Sequence, residues 1–149
     1  MDLSQPANGI IELVSLVIRG VSDNRDLSLT AVAALGSLDR RGPQRITTMA
    51  AAEGVSQPSM TQLVQRLEQR GLVVRSSDPS DGRVALVGLT DEGRAALAAR
   101  RQRNAGRVAE LLADLPDDDV RALSDALDAV LPRMRERVGD TKVVSGAAR

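Results

Sequence analysis

The alternation of apolar and polar positions divides the chain into helices with different kinds of face. Ile10, Ile11, Val14, Leu16, Val17 and Ile18 crowd into one short segment that is apolar almost all round. Such a helix has too little polar surface to stand alone in water, so it must pack against a second helix or another chain. Leu27, Leu29, Val32, Leu35 and Leu38 then recur with a helical period. Arg40 and Arg41, followed by Gly42 and Pro43, supply cations for its last turn and then two stop signals. A short helix over 48–53 follows, with Thr47 as its N-cap and Gly54 as its end. Ser56 caps the next helix, in which Met60, Leu63, Val64 and Leu67 form a buried stripe at i, i+3, i+4 and i+7. Gly71 is the expected C′ glycine.

Beyond Gly71 the period changes. Two short strands are predicted, about 72–75 and 84–89, around the turn residues Asp78, Pro79, Ser80, Asp81 and Gly82. Thr90 caps a long Ala- and Arg-rich helix to about Ala113, with Asp91 and Glu92 at its positive end. Pro116 and three aspartates open a last helix whose apolar stripe is Val120, Leu123, Leu127, Val130, Leu131 and Met134, with Pro132 expected to kink it. Residues 1–9 read as a mobile leader and 139–149 as a disordered tail. The segments 10–26 and 114–138 read as a helical dimerisation region around a lobe spanning 27–113. The fold class is therefore mainly α with a small β-hairpin.

The order of elements in the lobe carries the functional signal. Ala50 is small enough for two helices to cross, Gly54 makes the turn between them, and Met60 plugs the space. This is a helix-turn-helix pattern, although any two short helices joined by glycine would share it. The second helix makes it specific. With its apolar stripe inward, it presents Ser59, Thr61, Gln62, Gln65, Arg66 and Gln69, with Gln57 in the exposed first turn. Gln pairs bidentately with adenine, Arg with guanine, and Ser or Thr with phosphates or base edges. A merely solvated face mixes Glu and Lys, and this one is almost free of acids. At the hairpin tip, Arg83 fits a narrow minor groove, where negative potential is concentrated. Asp81, two residues before it, can hold its guanidinium. The plainer reading is an Asp-Gly hairpin with a chance arginine. Arg45 and Arg75 are candidate phosphate contacts.

Composition narrows the classes further. Lys and Arg number 20, and so do Asp and Glu. Over 66–103 the arginines outnumber the acids eight to five, whereas 114–128 holds six Asp against Arg121 alone. One end of the molecule is thus expected to be positive and the other negative. The chain has no Cys and no His, which removes disulfides, thiol sensing, and the usual zinc ligands and general base. Without Phe, Tyr or Trp there is no platform for stacking single-stranded bases. No nucleophile–base pair, metal cluster or phosphate-cradling glycine loop is present, so an enzyme is not expected, and no cofactor. No apolar run approaches membrane-spanning length, and the expected location is cytoplasmic.

In combination, the run S-Q-P-S-M-T-Q-L-V-Q-R-L-E-Q-R-G-L over 56–72, D-P-S-D-G-R over 78–83 and L-T-D-E-G over 89–93 resemble the MarR (multiple antibiotic resistance regulator) family of winged-helix regulators. The resemblance extends over about 10–138. It implies a homodimer whose terminal helices form the interface and whose two lobes bind a near-palindromic double-stranded DNA site. It also implies a transcriptional repressor released by a small organic effector, anionic or apolar. The absence of aromatics departs from the family's ligand pocket. Arg19 or Arg25 could hold an effector's carboxylate, although a solvated or interface charge is the plainer reading of each. The alternative function is a protein-interaction module on the same scaffold, with only non-specific DNA binding.

Overall fold

The computed structural model describes residues 1–21 and 27–146, with side chains through residue 138. Arg25 and the last three residues lie outside the described residues. The chain divides into two units, one ending at Val108 and the other beginning at Ala109. The fold is mostly helical with a small antiparallel sheet.

In the first unit, α1 spans Ser4–Val21. It starts well before Ile10: Asp2 accepts a hydrogen bond from the Ser4 backbone N–H at 2.9 Å just ahead of it, and Pro6 is tolerated in a first turn. None of its residues is buried, and Ile10, Ile11, Leu13, Val14, Leu16 and Ile18 remain 38–68% exposed. Helix α2 spans Leu29–Arg41 and is capped by Ser28, whose hydroxyl accepts from the Ala31 N–H at 3.1 Å. Its buried face is Ala31, Ala34, Leu35 and Leu38, continuing from Leu27. Leu29 is 65% exposed, against the expectation. Nine residues at about 100° each place it opposite Leu38, and the small alanines let α2 approach the core closely instead.

A two-residue strand, β1 (Gln44–Arg45), leads directly into α3 (Ile46–Glu53). The helix thus begins earlier than the Thr47 cap implied. Arg45 occupies the N-cap position without a side-chain cap, because a guanidinium has no acceptor to offer the first helical N–H groups. Gly54 adopts the left-handed conformation (φ 65°) and turns the chain into α4 (Gln57–Gln69). Met60 and Val64 are fully buried against Met49 and Ala50 of the α3 side of the core. Gly71 (φ 72°) closes α4. Strands β2 (Val73–Asp78) and β3 (Asp81–Leu89) form the hairpin, and the sheet order is β1-β3-β2. Both are longer than the sequence suggested, leaving only Pro79 and Ser80 as the turn.

Helix α5 (Asp91–Leu112) is docked by its first turn. The Thr90 hydroxyl donates to the Gly71 carbonyl at 2.6 Å and accepts from the Gly93 N–H at 3.0 Å, and the Thr90 N–H donates to the Leu72 carbonyl at 3.1 Å. A Cβ on Gly93 would lie 2.1 Å from the Leu72 carbonyl oxygen. In the second unit, α6 runs over Asp117–Gly146 and continues through Pro132. It therefore extends past Val138, where the sequence reading ended it. Leu127, Val130, Leu131, Met134 and Val138 are 38–57% exposed along it.

The Gly93 contact yields a stability prediction. Gly93→Ala is expected to lower the melting temperature, at a cost of about 1–3 kcal/mol or more, because the clash is with backbone that cannot step aside. A thermal melt indistinguishable from wild type would show that the close approach is not maintained in solution.

Candidate nucleic-acid interface

The exposed face of α4 follows from its caps and stripe. Ser56 accepts from the Ser59 N–H at 3.3 Å, which starts the helix with Pro58 in its first turn. Met60, Leu63, Val64 and Leu67 are all buried, so the opposite face is set. Gln57, Gln62, Gln65 and Arg66 are exposed on it, with no side-chain partner among the described residues. Ser59 and Thr61 are differently placed. The Ser59 hydroxyl shares a 2.8 Å hydrogen bond with Ser56, and the half-buried Thr61 hydroxyl donates to the Gln57 carbonyl at 2.9 Å. Both stand on the predicted face, but each already has a local partner.

The hairpin is anchored by a node that spacing along the sequence does not reveal. Arg45 and Ser76 pair with Leu86 from opposite sides of β3. From there the Arg45 guanidinium reaches Asp78, its Nε donating to Oδ2 at 2.8 Å. Asp78 also accepts from the Ser80 N–H at 2.9 Å and from the Ser80 hydroxyl at 2.8 Å, and Arg45 Nη2 lies 3.4 Å from that hydroxyl. These donors hold the Asp78 carboxyl at about 2, against an ordinary value of 3.8: the Ser80 N–H contributes most, then the Ser80 hydroxyl, then Arg45. Arg45, expected at a phosphate, is thus first a tie between β1 and the hairpin turn, with its side chain still 43% exposed. Asp78 and Ser80 were legible as turn residues only, because their partner lies 33 residues away.

At the tip, Asp81 accepts from the Arg83 backbone N–H at 3.1 Å, and its Oδ1 lies 3.8 Å from Arg83 Nε. The Arg83 side chain is 96% exposed. Arg75 Nε lies 3.1 Å from Glu68 Oε2, joining β2 to the end of α4. The arginines of α5 act differently from a basic DNA face. Arg94 and Arg101 face Asp39 at 3.7 and 3.8 Å, while Arg100 and Arg107 donate to the carbonyls of Leu27 and Val21, each at 3.0 Å. The arginine-rich span therefore includes residues that hold the lobe's helices together. Among the described residues no group of acids could hold a metal ion, and no helix is long and apolar enough to cross a membrane.

A helix-turn-helix whose second helix presents amides and an arginine, followed by a hairpin with an arginine tip, defines a DNA-binding winged-helix transcriptional regulator. Known proteins agree. The model of the MarR family matches residues 27–85. The chain is 31% identical over 123 residues to an HTH-type transcriptional regulator of Mycobacterium bovis, covering 83% of this chain and 86% of that one. It is 27% identical over 136 residues to one of Bacillus subtilis, covering 91% and 77%. It belongs to the MarR family, whose members are named as transcription regulators rather than enzymes. A transcriptional regulator from Thermotoga maritima shares the fold with a TM-score of 0.75 at 24% identity, over 91% of this chain and 99% of that one. The PcaV regulator of Streptomyces coelicolor, solved with its natural ligand, has a TM-score of 0.56 at 25% identity, over 89% and 96%.

The anchoring node can be titrated directly. Because the Asp78 carboxyl is depressed, its contribution is complete above the ordinary carboxylate value and is lost as pH falls through about 2. Carboxyl-carbon NMR is expected to find a midpoint near 2 in the wild type and a higher one in Ser80→Ala, still below 3.8 because the backbone N–H of residue 80 and Arg45 remain. An ordinary midpoint in the wild type would mean that the node does not form.

Proposed function

We propose that the protein is a homodimeric, sequence-specific repressor that binds a near-palindromic duplex and is released by a small organic ligand. The observation that carries the DNA reading is the exposed, amide-rich face of α4 beside a hairpin whose Arg83 side chain is 96% exposed. Gln57, Gln62, Gln65 and Arg66 read the major groove, with Ser59 and Thr61 at its phosphates or base edges. Arg83, oriented by Asp81, enters the minor groove, while Arg45 and Arg75 lie where phosphates run.

Dimerisation is supported by the apolar surface of α1 and of α6, which water disfavours and a second copy would cover. Residues 10–26 and 114–138 are assigned to that interface. Release by a ligand is supported by PcaV, which was solved with one. A ligand shifts the lobes only by its differential affinity for two states. With no Cys and no His, thiol oxidation and tight zinc binding are not the trigger. Arg19 and Arg25 are the candidates for an effector's carboxylate. As a regulator acting on DNA, the protein is assigned to the cytoplasm.

Sedimentation at micromolar concentration is expected to show a dimer, and a monomer there would refute the interface. Arg83→Ala is expected to weaken operator binding markedly and leave the melting temperature unchanged, since the tip is exposed. Gln62→Ala or Arg66→Ala is expected to relax sequence preference by about 1–3 kcal/mol for each lost base contact. Titration of each variant against operator and scrambled duplex separates these outcomes. Arg83→Ala that binds operator as tightly as wild type would remove the wing from the interface.

A further inference from the structure

The hairpin-side arginines of the lobe each have a carboxylate partner within it: Arg45 has Asp78, Arg83 has Asp81 and Arg75 has Glu68. The first two acids have local work as well. Asp78 binds Ser80, and Asp81 binds the Arg83 backbone. Glu68 is different. It is the sole acid of α4, it is 41% exposed, and its carboxylate has no partner but Arg75 among the described residues. Thr61, Gln65 and Glu68 follow i, i+4, i+7 spacing, so the carboxylate stands on a flank of the same face that offers the amides. A phosphate-lined groove repels it. An exposed ion pair contributes little to stability, so the fold alone does not account for an acid at this place.

We propose that Glu68 is a specificity-determining residue: an internal counter-ion that withholds Arg75 from the phosphates of arbitrary DNA. Non-specific affinity is almost wholly electrostatic and arises when cations displace counter-ions from phosphates. A guanidinium already neutralised at 3.1 Å adds little to it. On the protein's own site, base contacts seat α4 more deeply, and a fixed phosphate then competes with Glu68 for Arg75. The pair therefore lowers background binding more than specific binding. This inference rests on the proposed placement of α4 and the wing against a duplex.

The test is a salt titration of the full-length protein, as wild type, Glu68→Gln, Arg75→Gln and the double variant, against operator and scrambled duplexes. Glu68→Gln is expected to bind scrambled duplex several-fold tighter at low salt. Its plot of log affinity against log salt is expected to steepen by up to about 0.9 for each phosphate that Arg75 takes up. Operator affinity is expected to rise less, so the operator-to-scrambled ratio falls. Arg75→Gln is expected to weaken operator binding while barely changing scrambled binding, and in that background the gain from Glu68→Gln shrinks. A gain of the same size with and without Arg75 would mean that Glu68 only repels phosphate, and no gain would mean that it does neither. Either result overturns the proposal while leaving the interface standing. If wild type shows no salt-dependent binding to either duplex, the interface reading fails first and this inference with it.

Discussion

The lobe depends on the contact where the first turn of α5 meets the turn that leaves α4. Three chain segments converge there. Gly71 ends α4 with a left-handed residue, Leu72 leads into the first hairpin strand, and Thr90 receives the chain from the second. The Thr90 hydroxyl binds both sides of the junction, and Gly93 lets backbone approach backbone where any Cβ would collide with Leu72. Removing that closeness would let the hairpin and α4 drift separately. The exposed face of α4 and the Arg83 tip keep a fixed relation to each other only while both are fixed to one point.

A second tie controls the far end of the hairpin. Arg45 enters the sheet as part of a two-residue strand and closes on Asp78 across β3. The wing is thus held at its base by hydrogen bonds to Thr90 and near its tip by a charged node. Arg83 extends beyond both into solvent. Charge in the lobe is arranged in the same spirit. A chain with zero formal net charge cannot rely on bulk attraction to nucleic acid. Several of its arginines join helices or face carboxylates, which leaves a small exposed set on α4 and at the tip.

Much of this was legible in the sequence where the rule is local. The stripe of Met60, Leu63, Val64 and Leu67 is buried as its spacing required, and the glycines at 54 and 71 take the left-handed conformation that helix ends favour. The placement of Gln57, Gln62, Gln65 and Arg66 follows from that stripe alone. The failures are non-local or too short to have a period. Strand β1 is two residues long and exists only because β3 passes beside it. The Arg45–Asp78 node joins positions that no periodicity relates. Leu29 counts towards the helical period of apolar residues yet is exposed, while alanines at 31 and 34 belong to the inward face. Helix α1 begins earlier than expected, in a segment that its Pro and Gly made look irregular.

The central claim is that two such lobes read a particular duplex sequence. The most direct measurement is to select bound fragments from genomic DNA with the purified protein and footprint the enriched fragment with hydroxyl radicals. The account predicts a shared, near-palindromic sequence with two protected half-sites about one helical turn apart, roughly 34 Å, on one face of the duplex. No enrichment, or uniform protection without a common sequence, would contradict it.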